Sequence, residues 1–94
     1  MDWWVRLPLY LQRAGRMSEA AVEFDWLIED TIPRVIEDYQ GATDERLAEA
    51  SHRRFHAIYE AMRIAWEREG DADKALAAET RAKEHLQAAT NYLT

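Results

Sequence analysis

Cysteine is absent from this 94-residue chain, so neither a disulfide framework nor a thiolate metal site can stabilise it. Glycine occurs three times and proline twice. The isolated glycines Gly15, Gly41 and Gly70 exclude the glycine-rich loop that cradles phosphates. No stretch alternates β-branched and polar residues as a strand would. A long hydrophobic run is missing too. Residues 1–11 are apolar but only about half the length a bilayer span needs, and Asp2 and Arg6 with no small-residue cleavage site after them do not read as a leader. The expectation is a soluble, cytoplasmic, all-α protein with no membrane partner.

What remains is a chain with 48% hydrophobic residues, enough for one small domain over residues 1–94. Chains of this size bury a smaller fraction of their surface than larger ones. With no covalent staple available, self-association, most simply as a homodimer, is expected.

Charge is concentrated in one segment. Glu19, Glu23, Asp25, Glu29, Asp30, Glu37 and Asp38 stand against Arg34 alone. With 18 acids and 12 bases in all, the rest of the chain holds eleven of each. The whole net charge of −6 therefore lies within residues 19–38. Nucleic-acid binding depends on neutralising phosphates with Lys and Arg, so no direct nucleic-acid partner is expected. The segment reads either as a solvated face or as a surface that steers a basic partner.

Glycine and proline mark the element boundaries. Pro8 is tolerated best in a first helical turn, which places helix one from near Leu7 to near Ala14. Ser18 is a candidate N-cap for helix two, whose apolar face is Ala20, Ala21, Phe24, Leu27 and Ile28. Pro33 removes an amide and disfavours helical geometry at Ile32, predicting a kink or a break before Ile32, Val35, Ile36 and Tyr39 resume helical spacing. Thr43 caps helix three, which runs from Asp44 to about Glu69 with a core stripe of Leu47, Ser51, Phe55, Ile58, Met62, Ala65 and Trp66. Asp71 or Asp73 opens helix four, with a small-residue seam at Ala75, Ala78, Ala82, Leu86, Ala89 and Leu93.

Leu11-Gln12-Arg13-Ala14-Gly15, followed by Ala20, recurs as Trp66-Glu67-Arg68-Glu69-Gly70, followed by Ala75. Each copy is a helix end, a glycine turn and a small residue that lets the next helix sit close. The fold class read from this is all-α, four to five helices forming two helical hairpins packed as a small bundle. The hairpins span residues 7–31 and 44–92, with a kinked extension over 32–40.

Residues 1–33 resemble the tetratricopeptide repeat, whose helix-A aromatic and leucine match Trp4 and Leu7, turn glycine Gly15, helix-B alanine Ala20, aromatic Phe24 and closing proline Pro33. Pro8, Leu11 and Leu27 depart from the family pattern. A second copy keeps Tyr59, Met62, Trp66, Gly70, Ala75 and Ala82, with Glu79 at the aromatic position. It begins 55 residues on, from Gly15 to Gly70, against a usual period of about 34. The resemblance implies helical-hairpin geometry and a habit of binding proteins. Residues 7–16 are also similar to a stretch found in small bacterial proteins, which implies no function.

Val22 and Trp26 point away from the Phe24 and Leu27 stripe at about 100° per residue. Either another part of the chain covers them or they form an intermolecular contact together with Trp3 or Trp4, since tryptophans anchor interfaces. Glu29 and Asp30 complete the candidate partner-binding set: Val22, Trp26, Glu29, Asp30, Trp3 and Trp4. Catalytic candidates fail: Ser18 reads as a cap and Ser51 lies on the core stripe, leaving no Ser-His-acid arrangement. Glu49 and His52 have the Glu-x-x-His spacing of di-iron bundles without its second copy, and His52 and His56 are placed on a charged face away from the core. No enzyme activity, metal or cofactor is expected. Three function classes follow: a self-associating interaction module or adaptor for an unidentified protein, an acidic inhibitor of phage or mobile-element type that blocks a basic site, and a subunit of a larger assembly.

Overall fold

The computed structural model describes residues 3–93; Met1, Asp2 and Thr94, and with them the charge at Asp2 weighed against a leader, lie outside the described residues. The chain makes a 3-10 turn over Trp3–Val5, then α1 (Arg6–Arg13), α2 (Met17–Asp38), α3 (Asp44–Arg68) and α4 (Ala72–Asn91). No strand occurs among the described residues. The protein is an all-α bundle of two helical hairpins. α1 packs on α2, α3 on α4, and α2 on α3, while α4 makes no substantial contact with the first hairpin. The result is an elongated body of 41 × 23 × 19 Å with α3 in the middle.

Both short hairpin turns have one design. Gly15 and Gly70 share a left-handed φ of +76°. The amide of Arg16 donates to the Leu11 carbonyl at 2.9 Å and that of Gly15 to Gln12 at 3.1 Å, while Asp71 donates to Trp66 and Gly70 to Glu67, each at 3.0 Å. These paired bonds are the Schellman arrangement, which satisfies the last carbonyls of a helix while reversing the chain. The alanine five residues later is buried in both copies, at Ala20 and Ala75, as the recurrence predicts.

Two helix starts follow the sequence reading. The Thr43 hydroxyl accepts from the Arg46 amide and the Asp71 carboxylate from the Lys74 amide, both at 3.1 Å. α2 does not: it begins at Met17 after Arg16, without a side-chain cap, and Ser18 stands exposed in the first turn. The carboxylate of Glu19 pairs instead with the Arg16 side chain.

Nor does Pro33 end the helix. α2 continues to Asp38 with Pro33 inside it, which excludes the predicted break. Pro33 lies on the side turned from the core, exposed along with Glu29. The Glu29 carbonyl that loses its helical donor to the proline thus belongs to the exposed side of α2, where water can take the donor's place. On the core side, the buried Thr31 hydroxyl donates to the Leu27 carbonyl at 2.8 Å.

The core joins Val5, Leu9, Phe24, Leu27, Ile58, Ala61 and Ala65, with Trp4, Met17, Ile28, Met62 and Ile64 packed against it. α4 contributes Ala75, Ala78, Ala82 and Ala89 to a separate contact with α3. Four alanines allow close approach but offer little apolar area each.

Candidate partner-binding surface

The first hairpin leaves an apolar surface uncovered. Because α2 buries Ala20, Phe24, Leu27, Thr31 and Val35, the 3.6-residue period turns Val22, Trp26, Pro33 and Ile36 outward. Val22 is 66% exposed, Trp26 53% and Ile36 54%. Trp26 is therefore not buried within its own chain, the simpler of the two readings its position allows. Trp3, 78% exposed, stands across from it, and the two line a cleft of about 610 Å³ together with Trp4, Leu7, Asp30 and Asp38. A second hollow of about 590 Å³, with Leu11 and Val22 in its wall, shares Leu7 and Glu23 with the first. The two hollows adjoin at Leu7 and Glu23, between α1 and α2.

The six sequence candidates separate. Val22, Trp26 and Trp3 are exposed and bordering the groove. Trp4 is half-buried, packed against the core with the Arg54 guanidinium 4.2 Å above its ring, so it forms the floor rather than a free anchor. Asp30 lines the cleft and meets Arg34 at 3.3 Å and Arg54 at 4.0 Å. Glu29 is exposed on the outer face of α2 and does not line the groove. Leu7, Glu23, Arg34, Asp38 and Arg54 also line it and were not singled out. Leu7 and Leu11, four residues apart, form a helical pair visible in the sequence. Arg54 comes from α3, and only packing brings it there.

The electrostatics are one-sided. Arg16 is bonded to Glu19, and Arg34 to Asp30. The Arg16 hydrogen bond holds the Glu19 carboxyl below its ordinary range. Glu23, Asp25, Glu29 and Asp38 form no ion pair among the described residues. At its C-terminal end α2 has no base in the last turn, and Glu37 and Asp38 stand where the helix dipole is already negative.

The histidines are not where the sequence placed them. Two histidines of α3 face α4: His52 Nδ1 lies 2.9 Å from His85 Nδ1, and His56 Nδ1 lies 2.9 Å from the Ala82 carbonyl. Phe55 and Tyr59 stack on His85 at 4.7 and 5.6 Å between centroids. α3 is packed on both sides, so a single apolar stripe underestimates its buried surface. His56 must donate from Nδ1, whereas the His52–His85 bond holds one proton between two nitrogens. Burial lowers the His85 pKa from its ordinary 6.5, and nearby His52 lowers it further. Glu49, one turn before His52, is buried between Arg46 and Arg53; the Arg53 hydrogen bond holds its carboxyl below the ordinary 4.5. Among the described residues no group of three His, Asp or Glu side chains is placed to hold a metal, and no helix is long and apolar enough to cross a membrane.

The residues define a class, a small all-α bundle with an acidic, tryptophan-lined groove on its first hairpin. Compared with protein-family models, curated proteins and solved structures, the chain matches none.

Proposed function

We propose that the chain is a non-enzymatic protein-protein interaction module and that it binds through the outer side of the α1–α2 hairpin. The observation that carries the reading is the exposure of Trp3, Val22 and Trp26 around one groove. Tryptophans at the centre of a patch, with charged residues around it, are the usual composition of a binding hot spot. The tetratricopeptide-like pattern of residues 1–33 supports a protein-binding role in the same direction.

Affinity capture followed by mass spectrometry tests it, comparing the wild type with Trp26→Ala and with Leu76→Ser on α4 as a surface control. Partners captured by the wild type and the control, and lost with Trp26→Ala, are expected. Capture unaffected by Trp26→Ala overturns the assignment of the surface. Sedimentation of the same proteins tests whether a second copy shares it, as the thin core led us to expect.

A second reading, an acidic inhibitor that blocks a basic site, is supported by the seven carboxylates of α2 against its one base. Steep weakening with ionic strength favours the inhibitor, and salt-insensitive binding favours the groove.

A further inference from the structure

Resting on the reading of this surface as a protein-binding site, we propose that its occupant is a basic amphipathic helix whose apolar side lies over Val22 and Trp26 at the edge of the groove and continues along the outer face of α2 to Ile36, with its Lys or Arg flanks on the carboxylates of α2.

Shape sets the form of the occupant. Val22, Trp26, Pro33 and Ile36 follow one another at spacings of four, seven and three residues, a straight stripe on a helix in which Glu29 stands between Trp26 and Pro33. The stripe runs about 21 Å, close to four turns at 1.5 Å per residue. A helix laid beside another helix meets such a stripe along its whole length. A globular loop would reach only one end.

Charge sets its sign, and three independent features agree. Glu23 and Asp25 flank the stripe on its two sides and Glu29 stands within it, none of them in an ion pair among the described residues, while the only base of α2, Arg34, is bonded to Asp30. Pro33 frees the Glu29 carbonyl on the exposed face, adding an acceptor with no matching donor. The C-terminal turn adds Glu37 and Asp38 to the negative end of the helix dipole. The charged groups on this face that form no ion pair among the described residues are carboxylates, so a partner rich in positive charge is matched to it. A second copy is not, because an α2-on-α2 contact would set the same carboxylates against each other.

The test uses the whole protein and three synthetic helical peptides of about 18 residues sharing one leucine-alanine stripe, with flanks of lysine, glutamate or glutamine. Amide chemical shifts of the 15N-labelled protein locate binding. The lysine peptide is expected to shift Val22, Trp26, Glu29 and Ile36 selectively and to weaken about tenfold or more between low and physiological salt. Asp25→Lys/Glu29→Lys, both exposed positions, is expected to lose the lysine peptide by about tenfold and to gain the glutamate peptide; circular dichroism checks that this variant keeps its helix content.

Equal affinity for all three peptides, or shifts spread over other faces, overturns the basic-helix proposal. So does a dimer in sedimentation that Trp26→Ala dissolves, since a second copy then takes the surface. Binding of no peptide, with capture still dependent on Trp26, overturns the basic helix alone. Binding of no peptide with capture independent of Trp26 overturns the underlying reading as well.

Discussion

Phe24 and Trp26 are two residues apart on one helix, and the fold gives them opposite tasks. Phe24 is 0% exposed at the centre of the core, whereas Trp26 is 53% exposed on the groove. Phe24→Ala should cost about 3–5 kcal/mol through lost transfer energy and a cavity, read by urea unfolding. Trp26→Ala should change stability by less than about 0.5 kcal/mol, as surface substitutions do, while abolishing partner capture. His85 links a single residue to pH. Its pKa in the fold lies below the ordinary 6.5, so protonation favours the unfolded chain; its contribution is complete above 6.5 and is lost as pH falls through the folded value. Melting temperature should therefore decline in mildly acid buffer, and His85→Phe should flatten that decline. Glu49 responds in a lower window, because its depressed carboxyl stabilises the fold above 4.5 and ceases to as pH falls through its folded pKa.

α2 at the scale of the element is a helix that accepts unfavourable chemistry on its outer side. It starts without a side-chain cap, carries Pro33 in its interior and ends in acids. Replacing Pro33 with Ala restores the amide that bonds to Glu29 and removes the ring clash. The variant should be more stable by up to about 3 kcal/mol, measured by chemical denaturation, with the gain reduced by whatever relaxation the helix already makes. The turns behave in the reverse sense. A Cβ at Gly70 would meet nothing within 4 Å, so Gly70→Ala isolates the strain of a φ of +76°. A loss of about 1 kcal/mol is expected, and Gly15→Ala should match it because the two caps share one hydrogen-bond pattern.

Across the whole molecule the two hairpins are held by different chemistry. α2 and α3 share the core of Phe24, Leu27 and Ile58, while α4 is secured chiefly to α3 through alanines and the stacked rings around His85. Less apolar area per residue implies a lower free energy of local opening. Hydrogen exchange should accordingly release the α4 amides before those of α2 and α3, and lowering the pH through the His85 transition should widen the gap. Equal protection of α4 and α2 would contradict this division. The formal charge is uneven between the two halves, −4 over residues 1–38 and −2 over residues 39–94.

Helix class, the glycine turns, the Thr43 cap, the apolar side of α2 and the segregation of acids within residues 19–38 are determined by the sequence alone, because each depends on neighbours within one or two turns. Burial on both sides of α3 is not local. A helix held between two others has two apolar sides, and a polar His52 or His56 counts as surface until α4 supplies His85 and the Ala82 carbonyl as partners. Of the kink and the break that Pro33 allows, the structure excludes the break, and the cost of the proline depends on whether the orphaned carbonyl meets protein or water, which only the packing of α2 decides. The same holds for the groove. Trp26 and Val22 were legible as outward-facing from the helical period, but their union with Trp3, Leu7 and Arg54 required α1 and α3 to dock, since charge and exposure at a surface are sums over elements distant in the chain.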